Sequence, residues 1–317
     1  MARAPFDLSC HYRRRNNPAD WGIVQVRPII LLFGWVWSFG ERDGITRYQH
    51  IALQHEGAMY DQSVVSLAGR RGLITGIANK QSIAWGCAKA FRFLGAELAV
   101  TYLNERARPH VEPLAQELEA SILAPLDLRE EGQLEAVYAQ IEREWGKLDF
   151  VLHSIAFAPR DDLHGRVVDC SKAGFLQAMD ISCWSFLRMA KLAEPLMVDG
   201  GALFCMSYYG SQRVVEHYNL MGPVKAALES ATRYMAAELG PKGIRVHAIS
   251  PGPLKTRAAS GIAEFDELLD RAQEKAPMHR LVSIDDVGLA TAYLATDAAK
   301  LITGQTLYID GGYNIIG

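Results

Sequence analysis

From about Leu67 onward the chain alternates short apolar runs with segments whose apolar residues recur at helical spacing, and this alternation leaves few folds open. Residues 72–75 (GLIT) precede a helix beginning near Ser82, and residues 96–102 (AELAVTY) precede a helix over 112–118. Residues 121–126 (SILAPL) lead into a helix in which Leu134, Val137, Tyr138, Ile141 and Trp145 fall at i, i+3, i+4, i+7 and i+11. Residues 148–153 (LDFVLH), a long helix to about Met197, residues 202–206 (ALFCM), a helix carrying Lys225, residues 244–249 (IRVHAI), two more helices and residues 306–309 (TLYI) complete the series. Seven strands joined by helical crossovers imply a parallel sheet covered on both faces. Right-handed crossovers make the expected fold a doubly wound, Rossmann-type α/β domain.

No repeat, low-complexity tract or linker divides the chain after residue 60, so residues 59–317 are expected to form one domain. Residues 1–58 differ: they hold seven arginines, no lysine and Trp21, Trp35 and Trp37, without a sustained helical or strand period. The apolar run at 28–37 (PIILLFGWVW), preceded by Arg13, Arg14 and Arg15, is too short to span a bilayer, and no clean small-x-small cleavage pattern follows it. An over-long start ahead of Met59 or a disordered leader is the expectation for this extension, with a targeting segment as the alternative.

The formal net charge of −3 and a pI of about 6.3, with no basic stripe beyond the N-terminus, argue against nucleic acid as a partner. The five cysteines (Cys10, Cys87, Cys170, Cys183 and Cys205) are scattered and never form a Cys-x-x-Cys pair. That pattern points to a reducing compartment, to buried apolar thiols rather than nucleophiles, and away from zinc or a disulfide framework.

In a doubly wound sheet the ligand lies beyond the carboxyl ends of the strands, which directs attention to the first strand-to-helix turn, residues 75–86 (TGIANKQSIAWG). It is not a G-x-G-x-x-G. Gly76 can make the tight turn, Ala78 permits a close backbone approach, Gly86 lets the helix pack on the sheet, and Ser82 is a good N-cap where a pyrophosphate would meet the helix N-terminus. A plain structural turn explains the bare pattern about as well; its place at the head of the alternation favours a dinucleotide. After the second strand, Glu105 and Arg106 are adjacent: the acid would suit a ribose 2′-hydroxyl and the arginine a 2′-phosphate, and either reads equally as a surface charge. Asp127 after the third strand suits an adenine amino group or a helix N-cap.

With these features assembled, the chain resembles the short-chain dehydrogenase/reductase superfamily and, more closely, its NAD(P)H-dependent enoyl-[acyl-carrier-protein] reductases of bacterial type II fatty acid synthesis. The resemblance runs from about Leu67 to the C-terminus. It rests on residues 80–84 (KQSIA), 153–159 (HSIAFAP), 207–210 (SYYG), Tyr218 with Lys225, and residues 250–261 (SPGPLKTRAASG). It implies a cofactor against Gly76, Ser82, Ile83, Asp127, Leu128, Ile155, Lys225, Leu254, Lys255, Thr256, Arg257 and Ala258. An acyl chain is implied past Ala158, Tyr208 and Tyr218. Three positions depart from the family pattern: Leu103, where relatives often contact the adenine or ribose with a polar group; Ala156, where many have glycine; and Pro223, which interrupts the active-site helix.

In most members of the short-chain dehydrogenase superfamily that this chain resembles at large, tyrosine and lysine are four residues apart, whereas Tyr218 and Lys225 stand seven apart. A helix turns about 100° per residue, so seven residues return to within about 20° of one face while rising roughly 10 Å instead of about 6 Å. A carbonyl reductase needs the lysine beside the phenol, whose pKa of about 10 is otherwise too high for proton transfer. An enoyl thioester asks only for a neutral hydrogen-bond donor to the oxygen that becomes an enolate, with the α-carbon protonated from solvent. Tyr218 is therefore expected to be that donor, Lys225 the anchor of the nicotinamide ribose, and Tyr208 a contact to the thioester or acyl channel. The same-face geometry holds if the helix starts at Asn219. It fails if the helix starts at Gly222, and Pro223 is harmless only in a first turn.

Residues 258–277 combine a small-residue start (AASG) with an amphipathic helix bearing Phe265, Leu268, Leu269 and Ala272, which suits a lid over the acyl chain or a plain surface helix. The expected activity is NADH-dependent reduction of a carrier-bound trans-2-enoyl thioester in the cytoplasm, with NADPH as the alternative cofactor. The resemblance also implies a homotetramer built on long helices and the last strand. A carbonyl or alcohol oxidoreductase of the same superfamily and a non-catalytic NAD(H)-binding protein are the alternatives.

Overall fold

The computed structural model describes residues 61–256 and 265–316. The leader at 1–58, Arg257, Ala258 and the AASG start of the expected lid lie outside the described residues. Seven strands, β1 (Arg71–Thr75), β2 (Glu97–Tyr102), β3 (Ile122–Pro125), β4 (Phe150–His153), β5 (Gly201–Met206), β6 (Ile244–Pro251) and β7 (Thr306–Ile309), form one sheet in the order β3-β2-β1-β4-β5-β6-β7. Every pairing is parallel, as the alternation requires.

The central strands are buried along their whole length, because helices cover both faces. Successive residues point to opposite faces, so Leu73, Val151 and Leu203 enter one core while Ile74, Leu152 and Phe204 enter the other. The first core is closed by α3 (Gln133–Trp145), α6 (Ser185–Ala193) and α7 (Met221–Leu239). The second is closed by α1 (Ile83–Phe93), α2 (Arg108–Glu117) and α9 (Ile284–Ala295). The amphipathic helix α8 (Phe265–Lys275) buries Leu269 and Ala272.

Three expected helices change. α2 begins at Arg108, four residues before the expected start at Glu112, because the loop after β2 closes directly into the helix through the Asn104 carbonyl and side chain. The long helix to Met197 is a short α4 (Arg160–His164) followed by α5 (Lys172–Met179) and α6, with a π turn at Asp180–Trp184 between them. That π turn presents the Ser182 hydroxyl to the backbone of Phe157 after β4, accepting from its N–H at 2.9 Å and donating to its carbonyl at 3.1 Å. The helix carrying Lys225, α7, begins at Met221, so Tyr218 lies outside it, and the same-face argument for Tyr218 and Lys225 does not apply.

α1 and α9 cross where neither carries a side chain. A β-carbon on Gly288 would stand 2.2 Å from the Gly86 carbonyl oxygen, and one on Gly86 would stand 2.1 Å from the Ile284 carbonyl oxygen. The helices can approach this closely only because both positions are glycine. Gly288→Ala is expected to lower unfolding free energy by about 3 kcal/mol through forced separation of the pair, read as a fall in the urea midpoint. An unchanged midpoint would mean that the contact yields without strain.

Two histidines are sealed in the strands. Burial holds His153 at a pKa of about 3, with the Lys225 charge adding to the depression, and holds His247 at about 4. Both are therefore neutral in the fold and bind a proton in the unfolded chain below its ordinary value of about 6.5. Their contribution to stability is complete above that pH and is lost as pH falls through the window from about 6.5 towards 4, at up to roughly 1.4 kcal/mol per group per pH unit. A urea midpoint that stays flat from pH 6.5 to 4.5 would contradict neutral burial of the pair.

Candidate active site

The chain runs outward from β1 to β3 and then returns to β4, so the order of the sheet reverses between β1 and β4. Their carboxyl ends open a crevice there, the place where an open α/β sheet binds a ligand. Gly76 follows β1 with φ +94°, and a β-carbon on it would stand 2.0 Å from the Ser154 carbonyl oxygen. Glycine is the residue that both this backbone and this approach to the β4 loop accept.

Ser82 precedes α1 as its N-cap residue, but its hydroxyl turns back and accepts from the N–H groups of Ala78 at 3.0 Å and Asn79 at 3.1 Å. It therefore holds the turn in shape. The first N–H groups of α1, beginning with Ile83, have no acceptor within the helix and are the donors a phosphate would meet. Beside them an open crevice is lined by Lys80, Gln81, Leu254, Lys255, Leu281 and Ile284, bringing the first turn to the loop after β6. Lys255 is exposed and pairs with Asp266 of α8 at 2.8 Å, and the Thr256 N–H donates to the Leu254 carbonyl at 2.8 Å.

Leu103 follows β2 and is half exposed. The neighbouring Glu105 carboxylate accepts from the Tyr102 hydroxyl at 2.9 Å. The buried Asp127 is not a helix cap, since α3 is preceded by Gly132; its carboxylate receives Arg129 at 2.5 Å, which holds it below the usual carboxylate range. Leu128, Ile155 and Ala158 are half-buried on the core beneath α7, and Ala156 is exposed.

Lys225 and the two tyrosines are assembled by tertiary contacts. Lys225 is buried on α7, and its Nζ donates to the Met206 carbonyl at the end of β5, 2.7 Å away. Burial lowers its pKa, while Cys205, Cys183 and Glu229 oppose that fall. Tyr208 stands two residues beyond Met206, and its ring meets that of Tyr218 edge-on with centroids 4.8 Å apart. Tyr218 also packs over Gly210, where a β-carbon would come within 2.4 Å of its ring. The residues on either side of Tyr218, His217 (φ 62°) and Asn219 (φ 40°), adopt left-handed backbone, and the Asn219 amide donates to the Leu163 carbonyl at 2.8 Å. Pro223 is the third residue of α7, a first-turn position in which its missing N–H costs no helical hydrogen bond.

Both phenols are neutral at physiological pH. Burial raises each pKa above the ordinary tyrosine value, and the neighbouring tyrosines and Glu229 add to it. The Tyr208 hydroxyl is buried with no partner among the described residues. Ser207 and Ser211 flank it, but both hydroxyls donate to the buried Glu229 carboxylate at 2.6 Å. Neither serine is therefore free to take the place that a serine holds in the carbonyl reductases this fold resembles. Glu229 was not among the sequence candidates; its signal was an acid one turn beyond Lys225, on the same helix face, among small and apolar neighbours.

Burial pushes the thiols of Cys87 and Cys205 up to about 12, so neither is a nucleophile, and Cys10 lies outside the described residues. Among the described residues no group of His, Cys, Asp or Glu is arranged to hold a metal ion. The glycine-floored turn and the N–H groups at the start of α1 fit a dinucleotide lying across the β1–β4 crevice.

Comparison with known proteins points to one family. The sequence profile of the family described as Enoyl-(Acyl carrier protein) reductase matches residues 76–314. Enoyl-[acyl-carrier-protein] reductase [NADH] 1 of Rhizobium meliloti (strain 1021) is 47% identical over 249 residues, 78% of this chain and 92% of that protein. The crystal structure of enoyl-(acyl-carrier-protein) reductase from Anaplasma phagocytophilum in complex with NAD superposes with a TM-score of 0.77 at 45% identity, covering 79% of this chain and 96% of that one. The Bacillus cereus enoyl-acyl carrier protein reductase with NADP+ and indole naphthyridinone gives a TM-score of 0.78 at 41% identity, covering 79% and 98%.

Proposed function

The chain belongs to the enoyl-(acyl carrier protein) reductase family, and from that premise we propose that Tyr218, Tyr208 and Lys225 carry an NADH-dependent reduction of a trans-2-enoyl thioester in fatty acid synthesis. The observation that carries this reading is the pairing of two neutral phenols, one with an unpartnered hydroxyl, beside a lysine that is engaged elsewhere. Burial, Tyr208 and Glu229 all raise the Tyr218 pKa, the opposite of what a carbonyl reductase obtains from a lysine beside its phenol.

Bound nicotinamide supplies the hydride that the β-carbon receives. Tyr218 donates a hydrogen bond to the thioester oxygen as negative charge gathers there, and Tyr208 lines the thioester or the acyl channel. The α-carbon takes its proton from solvent. Lys225 holds the nicotinamide ribose; Gly76, Ser82 and Ile83 form the phosphate floor; Asp127 and Leu128 border the adenine, with Leu103 at its edge. Ile155 and residues 254–258, from Leu254 to Ala258, close the nicotinamide end, and Ala158 borders the acyl chain.

NADH is the cofactor of the NADH-named relatives, and Glu105 after β2 would repel a 2′-phosphate. The acyl group arrives on acyl carrier protein. A homotetramer is proposed because Phe175, Leu176, Trp184 and Leu187 along α5 and α6, and Leu289, Tyr293 and Leu301 near β7, leave large apolar side chains exposed on two faces. Light scattering that returns a monomer would refute it. Among the described residues no helix is long and apolar enough to cross a membrane, and the free thiols suit the cytoplasm.

Steady-state kinetics test the reading, with NADH and NADPH in parallel on trans-2-enoyl and acetoacetyl thioesters, for chains starting at Met1 and at Met59. Enoyl reduction favouring NADH is expected. Turnover of only the ketone would overturn the assignment, and cofactor binding without turnover would make the chain a nucleotide-binding protein that has kept the fold.

A further inference from the structure

We propose that Glu229 is a positioning residue for this reaction: its carboxylate clamps the segment on both sides of Tyr208 and so sets where the two phenols stand. The inference rests on the assignment of Tyr208 and Tyr218 to the thioester site. Glu229 lies on α7 one turn beyond Lys225 and is only 3% exposed. One of its oxygens accepts from both the Ser207 and the Ser211 hydroxyls at 2.6 Å, and the other faces the Gln212 amide at 3.4 Å. Both contacts lie at the short end of the O–H···O range.

The two serines bracket the chemistry. Ser207 immediately precedes Tyr208 and is held from the sheet side by its N–H to the Ile249 carbonyl at 2.7 Å; Ser211 closes the 3-10 turn Tyr209–Ser211 that follows. With Lys225 donating to Met206, α7 grips this segment at three points spanning Met206 to Ser211. The Tyr208 hydroxyl has no partner of its own among the described residues, so its aim depends on this backbone grip and on the Tyr218 ring. Gly210 lies within the gripped turn, and its backbone is the surface against which Tyr218 packs. One buried carboxylate thus fixes the seat of both tyrosines while touching neither.

The test is a double-mutant cycle in the full chain, with kcat and KM for a trans-2-enoyl thioester and for NADH measured on E229A, E229Q, S211A and Y208F, and on E229A and S211A each combined with Y208F. E229A is expected to lower kcat about 30-fold with KM for NADH within about threefold, E229Q to recover most of that loss as an uncharged acceptor, and S211A to cost about fivefold. In the Y208F background E229A and S211A should each cost clearly less than in the unaltered chain, because part of their effect passes through Tyr208 and the rest through Tyr218. The 19F resonance of 3-fluorotyrosine at position 208 should shift or broaden in E229A and S211A and return in E229Q. Equal losses with and without Y208F, or an unmoved 19F line, would overturn the proposal. S211A supplies both readouts if E229A does not fold. Absence of enoyl turnover in the unaltered protein would instead strike the assignment of function, and the 19F comparison would still decide whether Glu229 holds Tyr208.

Discussion

Replacing Tyr218 by phenylalanine is expected to lower kcat for trans-2-enoyl thioester reduction about 100-fold, the scale on which loss of one preorganised oxyanion donor is felt. The ring contacts survive the change: the edge-on meeting with Tyr208 and the packing over Gly210 involve carbon atoms that phenylalanine keeps. KM for NADH should stay within about threefold, because the lost bond forms only as charge develops on the substrate oxygen. The phenol pKa is raised by burial, so the unaltered enzyme should show no activity loss attributable to this tyrosine up to its ordinary pKa of about 10. A Tyr218→Phe enzyme retaining more than about a third of wild-type kcat would assign the oxyanion to another donor, with Tyr208 next in line.

Lys225→Met should act on a different quantity. Methionine fills the buried stem but withdraws the ammonium, leaving the Met206 carbonyl without its donor and the cofactor ribose without its anchor. KM for NADH is expected to rise about 30-fold and kcat/KM to fall by roughly 1000-fold, with kcat at saturating cofactor affected less than in Tyr218→Phe. Burial lowers the Lys225 pKa, so cofactor affinity in the unaltered protein should weaken on the alkaline side at a pH below the ordinary lysine value of about 10.5. An unchanged KM for NADH in Lys225→Met, measured beside a normal melting temperature, would remove the lysine from the cofactor site.

The architecture was legible because period and burial agree at each strand. Runs such as GALFCM are apolar at every position, which only a sheet covered on both faces accommodates, and all seven expected strands are found within two residues of their expected bounds. Helix starts were less legible where tertiary partners decide them. The π turn at Asp180–Trp184 has no signature in its own residues; it follows from Ser182 reaching Phe157 and Ser185 reaching both the Ile181 carbonyl and His153. Asp127 likewise read as a possible cap, and the presence of Arg129 two residues on drew its carboxylate elsewhere.

Tyr218 and Lys225 show where the boundary falls. Their identity and seven-residue separation stand in the sequence, and with the turn around Gly76 and the strand alternation they were enough to indicate a Rossmann-type reductase. The helical geometry offered to explain the spacing was not what the chain uses. Tyr218 sits on a left-handed turn ahead of α7, and its place is set by Gly210, Tyr208 and the Asn219 bond to Leu163, all remote from the helix register. Periodicity is a local property that one chain segment expresses by itself, so the sequence determined the elements, their order and the residue types available for chemistry. The meeting of two phenols, a lysine and a buried carboxylate from β5, the following turn and α7 depends on contacts across the sheet edge, and only the packed structure decides those.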